Sequence, residues 1–202
     1  MTKNRLEAFS DGMFAIILTV LVLELQVPHL ENNTLAVFVG AMSGLLPKLL
    51  SFVFSFFIIA IFWVNHHHIV HQIEKVDAKL LWLNNALLFF ACLFPFLTAF
   101  IGDYPTNPFV VALYPINMAL SSMVLSAFWK HAFVNTTLAP NKLTQAQKQK
   151  RIRQDGMSTA INLFAAALAF VWVPITLVII TVMPLLFVVP EFLSNKTEAL
   201  QE

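Results

Sequence analysis

The feature that most constrains this chain is how far it runs without a charge. No Asp, Glu, Lys or Arg occurs between residues 49 and 73, 80 and 102, 104 and 129, or 157 and 190, and Leu, Ile, Val, Phe and Ala dominate each run. A backbone shielded from water satisfies its own N–H and C=O groups as a helix, and about 20 apolar residues cross a hydrocarbon core. Six stretches meet that requirement, near 5–27, 49–73, 77–102, 107–133, 156–172 and 173–192. The expected fold class is therefore an all-α polytopic membrane protein with six transmembrane helices in one domain, residues 1–202. Charged residues make up only 11% of the chain, against about a quarter in soluble domains, which excludes a soluble fold. The first apolar run carries Asp11 and Glu24 and lacks a small-x-small cleavage site before Pro28. It is expected to be mature structure rather than a signal peptide.

The connections are less uniform. Between Pro28 and Pro47, Asn32-Asn33-Thr34 reads as a helix N-cap opening a short apolar segment, Leu35 to Leu46. That segment is too brief to cross, and an interfacial or re-entrant helix is expected. One helix from 157 to 189 would extend ~50 Å, so Trp172-Val173-Pro174 is expected to turn a hairpin between two shorter helices. On this plan Lys3, Arg5, Lys75, Lys79, Lys130, Lys142, Lys148, Lys150, Arg151, Arg153 and Lys196 share one side, with Lys48 alone opposite. The bias places both termini in the cytoplasm of a multi-pass cell-membrane protein. The polar loop Asn135 to Asp155, with its basic run 148–153, reads as the anchoring loop of that side and is too short to argue for nucleic acid. Cys92 reads as a small buried apolar residue with no disulfide partner.

The first span is the informative one. Ile16, Thr19, Val20 and Leu23 fall on one helical stripe that Gly12 extends, and periodicity cannot choose between a packing face and a pore wall. At the head of the same helix, Arg5 and Asp11 are about 120° apart and do not face one another. Each needs a partner elsewhere. Candidates at matching depth are His66, His67, His68 and His71 near the end of the second span and Asn84 and Asn85 early in the third, an inter-helix polar network. Its expected role is to fix the first helix, with proton sensing as the alternative. Trp63 and Trp82 read as interfacial anchors that can also pack against it. His67 and His71 are four apart, as metal ligands often are, but the glutamate of an H-E-x-x-H site and the separated histidine boxes of a di-iron enzyme are missing. No metal or cofactor is expected. Nor is there a nucleophile with a base partner, so an enzyme is not expected.

The spacing Arg5-x-x-x-Phe9-Ser10-Asp11 at the start of a first span, followed by Phe62-Trp-Val-Asn-His-His-His68, Leu81-Trp-Leu-Asn-Asn85 and Phe94-Pro-Phe96, resembles the potassium channel family typified by transmembrane protein 175. The likeness covers about the first half of the chain. It implies a homotetramer with four copies of helix one around a central pore, constrictions at Ile16, Thr19 and Leu23, and potassium as permeant ion. The chain contains no T-V-G-Y-G-like loop, and a helical wall offers only side chains. Selection is then expected to be weak, through the cost of dehydrating an ion between apolar rings and a threonine ring. The rivals are a proton-conducting channel and a proton-coupled secondary transporter. The latter calls for a midplane ionisable residue or paired broken helices, and neither is apparent. The expected partners are potassium ions, the lipid bilayer and further copies of the chain.

Overall fold

The structure, a computed structural model, describes residues 2–135, 138–140 and 143–182. Helix α1, Lys3–Leu21, tightens into a 3₁₀ turn over Val22–Glu24; α2 is Leu35–Gln72, α3 Ala78–Asp103, and α4 Pro108–Lys130, which closes in a π turn over His131–Asn135. Helix α5 is Gln145–Leu168 and a short α6 spans Val173–Val182. The first four are long and apolar enough to cross a membrane. A turn at 169–171 separates α5 from α6, so the chain bends just before the expected Trp172-Val173-Pro174, and Val173 and Pro174 already belong to α6. Residues 183–192 of the sixth expected span lie outside the described residues.

Three expectations are corrected. The apolar segment 35–46 is not a separate short helix: it is the first part of α2, which runs unbroken through Pro47 for 38 residues. Proline removes one ladder donor, but breaking the helix would strand several more backbone groups among apolar side chains. Ser51 Oγ donates to the Pro47 carbonyl at 2.9 Å. The segment after 135 is likewise not a loop as far as Asp155. Helix α5 starts ten residues earlier in a capping box, with Gln147 N donating to Thr144 Oγ1 at 3.3 Å and Thr144 N donating to Gln147 Oε1 at 2.8 Å. The basic run therefore lies on a helix, with Arg151 and Asp155 paired at 3.1 Å one turn apart. Cys92 is exposed on α3 rather than buried.

Helix α3 is the hub, packing against α1, α2 and α4, while α4 also carries α5. Rings fill the seam between α2, α3 and α4: Phe62 lies 5.7 Å from Phe94, and Phe94 5.4 Å from Tyr114. Three hydroxyls in that seam satisfy one another. The Tyr114 hydroxyl donates to Ser55 Oγ at 2.9 Å, and Thr98 Oγ1 lies 2.7 Å from the same oxygen. All three are buried, where an unmade bond costs about 1–3 kcal/mol.

The two ends of the bundle differ. At one, Lys3 Nζ donates to the His71 carbonyl at 2.6 Å, the N–H groups of Glu74 and Lys75 donate to the Leu138 carbonyl, and Asp77 meets His131 at 2.8 Å. Lys79 and Lys130 belong to this end, whereas Lys142 and Lys196 lie outside the described residues. At the other end Lys48 pairs with Asp103 at 2.6 Å. There α2 and α3 touch so closely that a Cβ on Gly102 would sit 3.2 Å from Lys48 Cα and 3.1 Å from its Cγ. Because one of those atoms is backbone, relief means moving a helix. Gly102→Ala is expected to destabilise the bundle by about 1–3 kcal/mol, as overpacking does, read as a lower thermal transition in detergent.

Asp77 also starts α3, its Oδ1 accepting from Leu80 N at 2.7 Å. Partial burial pushes its carboxyl up, but the Leu80 N–H and then the His131 ring outweigh that and hold it below the usual value. A depressed folded pKa contributes stability that is present above the ordinary carboxylate value of about 3.9 and disappears as pH falls through the depressed one. Asp77→Ala is expected to cost about 1 kcal/mol at neutral pH, mainly as a lost cap. It should also flatten the acid limb of stability against pH below about 4, a difference thermal unfolding across that range will read.

Candidate pore helix and its polar anchor

Helix α1 has two distinct faces. Leu6, Ser10, Phe14, Ile17 and Leu21, spaced by three and four, are buried in the groove of α2 and α3. The opposite face carries Arg5, Phe9, Gly12, Ile16, Thr19, Val20 and Leu23, all exposed, with Ile16 at 57% and Leu23 at 72%. The stripe that periodicity left open is thus not the face by which α1 packs into its own subunit. Thr19 Oγ1 donates to the Ile16 carbonyl at 2.8 Å. With its one proton so engaged, the hydroxyl oxygen turns only lone pairs outward.

The buried face is held by an anchor shared between three helices. Ser10 Oγ, on α1, donates to Asn84 Oδ1, on α3, at 3.0 Å and also lies 2.9 Å from the Leu6 carbonyl. His66 Nε2, on α2, is 2.8 Å from the same Asn84 oxygen, so the ring donates from Nε2. All three side chains are buried. The imidazole is wedged between rings, 5.8 Å from Phe14 and 5.4 Å from Phe128 of α4. Beside this anchor, Trp63 Nε1 donates to Asp11 Oδ1 at 2.9 Å.

Of the residues expected to form the polar network, Ser10, His66 and Asn84 come together, and Asp11 finds Trp63 rather than a histidine. His67 approaches Glu7, with Nδ1 3.8 Å from Oε1. Arg5 is exposed without a hydrogen bond or ion pair among the described residues, and Phe9, His68 and Asn85 are exposed as well. Trp82 is exposed too and stays out of the anchor. Sequence reasoning passed over two groups. Glu7 carried a signal, standing one turn before Asp11 on the same flank. Ser55, Thr98 and Tyr114 carried a weaker one, as hydroxyls within three neighbouring apolar runs.

The family described as endosomal/lysosomal potassium channel TMEM175 matches residues 5–95. A protein named potassium channel from Chryseobacterium sp. (strain P1-3) is 44% identical over an alignment spanning 61% of either chain. Another of that name from Chamaesiphon minutus is 32% identical, across 83% of this chain and 84% of the relative. Among solved structures, the crystal structure of a lysosomal potassium-selective channel TMEM175 homolog from Chamaesiphon minutus superposes with a TM-score of 0.81 at 29% identity, covering 93% of this chain and 97% of the other. With a helical bundle of the same shape and a relative matched over most of its length, this chain belongs to the TMEM175 channel family.

Proposed function

We propose that the protein is a potassium-permeable cation channel, a homotetramer of six-span subunits in the cell membrane, with both termini cytoplasmic and four copies of α1 around a central pore. The observation that carries this reading is the division of α1 into an anchored face and an exposed one. The exposed stripe joins a Gly12 opening to apolar side chains and one hydroxyl, and no helix among the described residues of its own subunit covers it. Ile16, Thr19 and Leu23 form the narrow segment and Val20 flanks it. An ion entering an apolar ring sheds part of its water, and potassium sheds water more readily than sodium. Thr19 meets the ion with an oxygen whose proton is already engaged. This is selection without a filter of backbone carbonyls, and it is weak.

The deciding measurement uses purified protein in liposomes under a potassium gradient with a protonophore. Potassium flux far faster than a transporter cycle and independent of a proton gradient is expected. Flux strictly coupled to protons would favour the transporter instead. Reporter fusions after Glu202 and within 138–142 are expected on the cytoplasmic side and one near Asn32 on the opposite side, and any reversal would overturn the span count.

A further inference from the structure

We propose that Glu7, Asp11 and His67 form a binding site for one divalent transition-metal ion of the zinc or cobalt class, bridging the head of α1 to the end of α2. One ligand atom from each of the three lies within 4.8 Å of the others. The His67 Nδ1 to Glu7 Oε1 separation of 3.8 Å is too long for a hydrogen bond. Donors around a tetrahedral ion at bond lengths of about 2.0–2.1 Å stand only ~3.3 Å apart, so the Glu7–His67 pair closes by about half an ångström and no pair by more than about 1.5 Å. The buried Nδ1 of His67 has no hydrogen-bond partner among the described residues.

Charge points the same way. Glu7 and Asp11 sit one turn apart, a like-charge spacing that destabilises a helix. No Lys or Arg pairs with either among the described residues. A dication bound between them removes that repulsion. The carboxylates alone would suit a hard cation, but the imidazole nitrogen beside them is a borderline donor that favours zinc or cobalt over magnesium or calcium, whose shells are all oxygen. Trp63 supplies the outer support: its N–H holds Asp11 Oδ1 and leaves Oδ2 to point at an ion, while its ring lies 5.6 Å from that of His67. The side chains of Glu7 and His67 are 25% and 40% exposed, so an ion can enter from water. Three protein ligands leave a further position for water, the mark of an open site. Glu7 and Asp11 come from α1 and His67 from α2, so a bound ion holds the head of α1 in place.

The test is metal titration of the untagged full-length protein in detergent after chelator treatment. One Co2+ per subunit is expected, with visible absorption bands that Zn2+ displaces, and a Zn2+-dependent rise in the thermal transition. Glu7→Gln and His67→Gln should each abolish both signals. Should His67→Gln fail to fold, Glu7→Gln decides alone, since it removes a repulsion. Trp63→Phe should keep the stoichiometry and weaken binding about tenfold or more, as loss of an outer-shell donor does. His68→Gln and His71→Gln should bind as the unaltered protein does. The site is overturned if the unaltered protein binds no stoichiometric ion, if Glu7→Gln binds normally, or if His68→Gln or His71→Gln removes the signal.

Discussion

Ile16→Asn is expected to raise total conductance and to erode the preference for potassium over sodium. In the proposed tetramer four isoleucines would face one another as a stiff apolar ring, because the β-branched side chain has little χ1 freedom on a helix. Such a ring excludes the water an ion would otherwise keep. An amide in its place holds water beside the ion, and a barrier lower by ~1.4 kcal/mol is enough for a tenfold rise in rate. Since the dehydration step is also where potassium is favoured, the gain in flux and the loss of selectivity arrive together. Thr19→Val separates the two. It deletes the outward-facing oxygen without wetting the ring, so conductance falls or the ion ratio shifts with no leak. Bi-ionic reversal potentials distinguish these outcomes from a surface that only touches lipid. Unchanged ratios for Ile16→Asn, Thr19→Val and Leu23→Asn alike would remove α1 from the pore wall.

The second large effect is expected at Asn84, where one side-chain oxygen serves α1 and α2 together. Asn84→Leu leaves the His66 N–H buried without an acceptor, at a cost of about 1–3 kcal/mol before any repacking strain. Ser10 loses less, because the Leu6 carbonyl remains within 2.9 Å. Pairing the change with His66→Leu should recover part of the loss, since removing both partners leaves no orphan, whereas independent sites would simply add. Unfolding in mixed micelles reads the single variants and the pair. Strict additivity would mean that the three side chains do not act as one anchor.

How much of this was legible in the sequence varies by element. Spacing alone put Gly12, Ile16, Thr19 and Leu23 on one stripe of α1 without saying whether that stripe packs inside the subunit; the burial of Leu6, Ser10, Phe14, Ile17 and Leu21 on the other face answers that. The meeting of His66 with Asn84 was legible as two polar groups at one depth in otherwise apolar spans. Their third partner was less so, since Ser10 reads equally well as bonded to its own helix. Arg5 resisted for another reason: within one subunit it has no described ion pair, and a sequence does not say whether a charge at a helix head meets its own chain, water or a neighbouring copy. Pro47 misled because its effect depends on surroundings. In water a freed carbonyl finds a solvent donor and the helix ends, whereas among apolar side chains continuing the helix is the less costly course. The start of α5 was written in Thr144 and Gln147, three apart, but charge density drew attention away from the cap.

The unbroken course of α2 bears on how the chain enters a bilayer as it is synthesised. From Lys48 to Gln72 the helix extends about 37 Å, enough for one crossing. The portion before Lys48 adds apolar residues with no comparable membrane depth left to occupy. An insertion machinery sorting segments by hydrophobicity therefore meets a stretch that can slide, and Lys48 is the only fixed charge in α2 with which to stop it. Its counter-charge, Asp103, is the last residue of α3. The Lys48–Asp103 pair therefore ties the register of α2 to the far end of α3, across the turn that joins them.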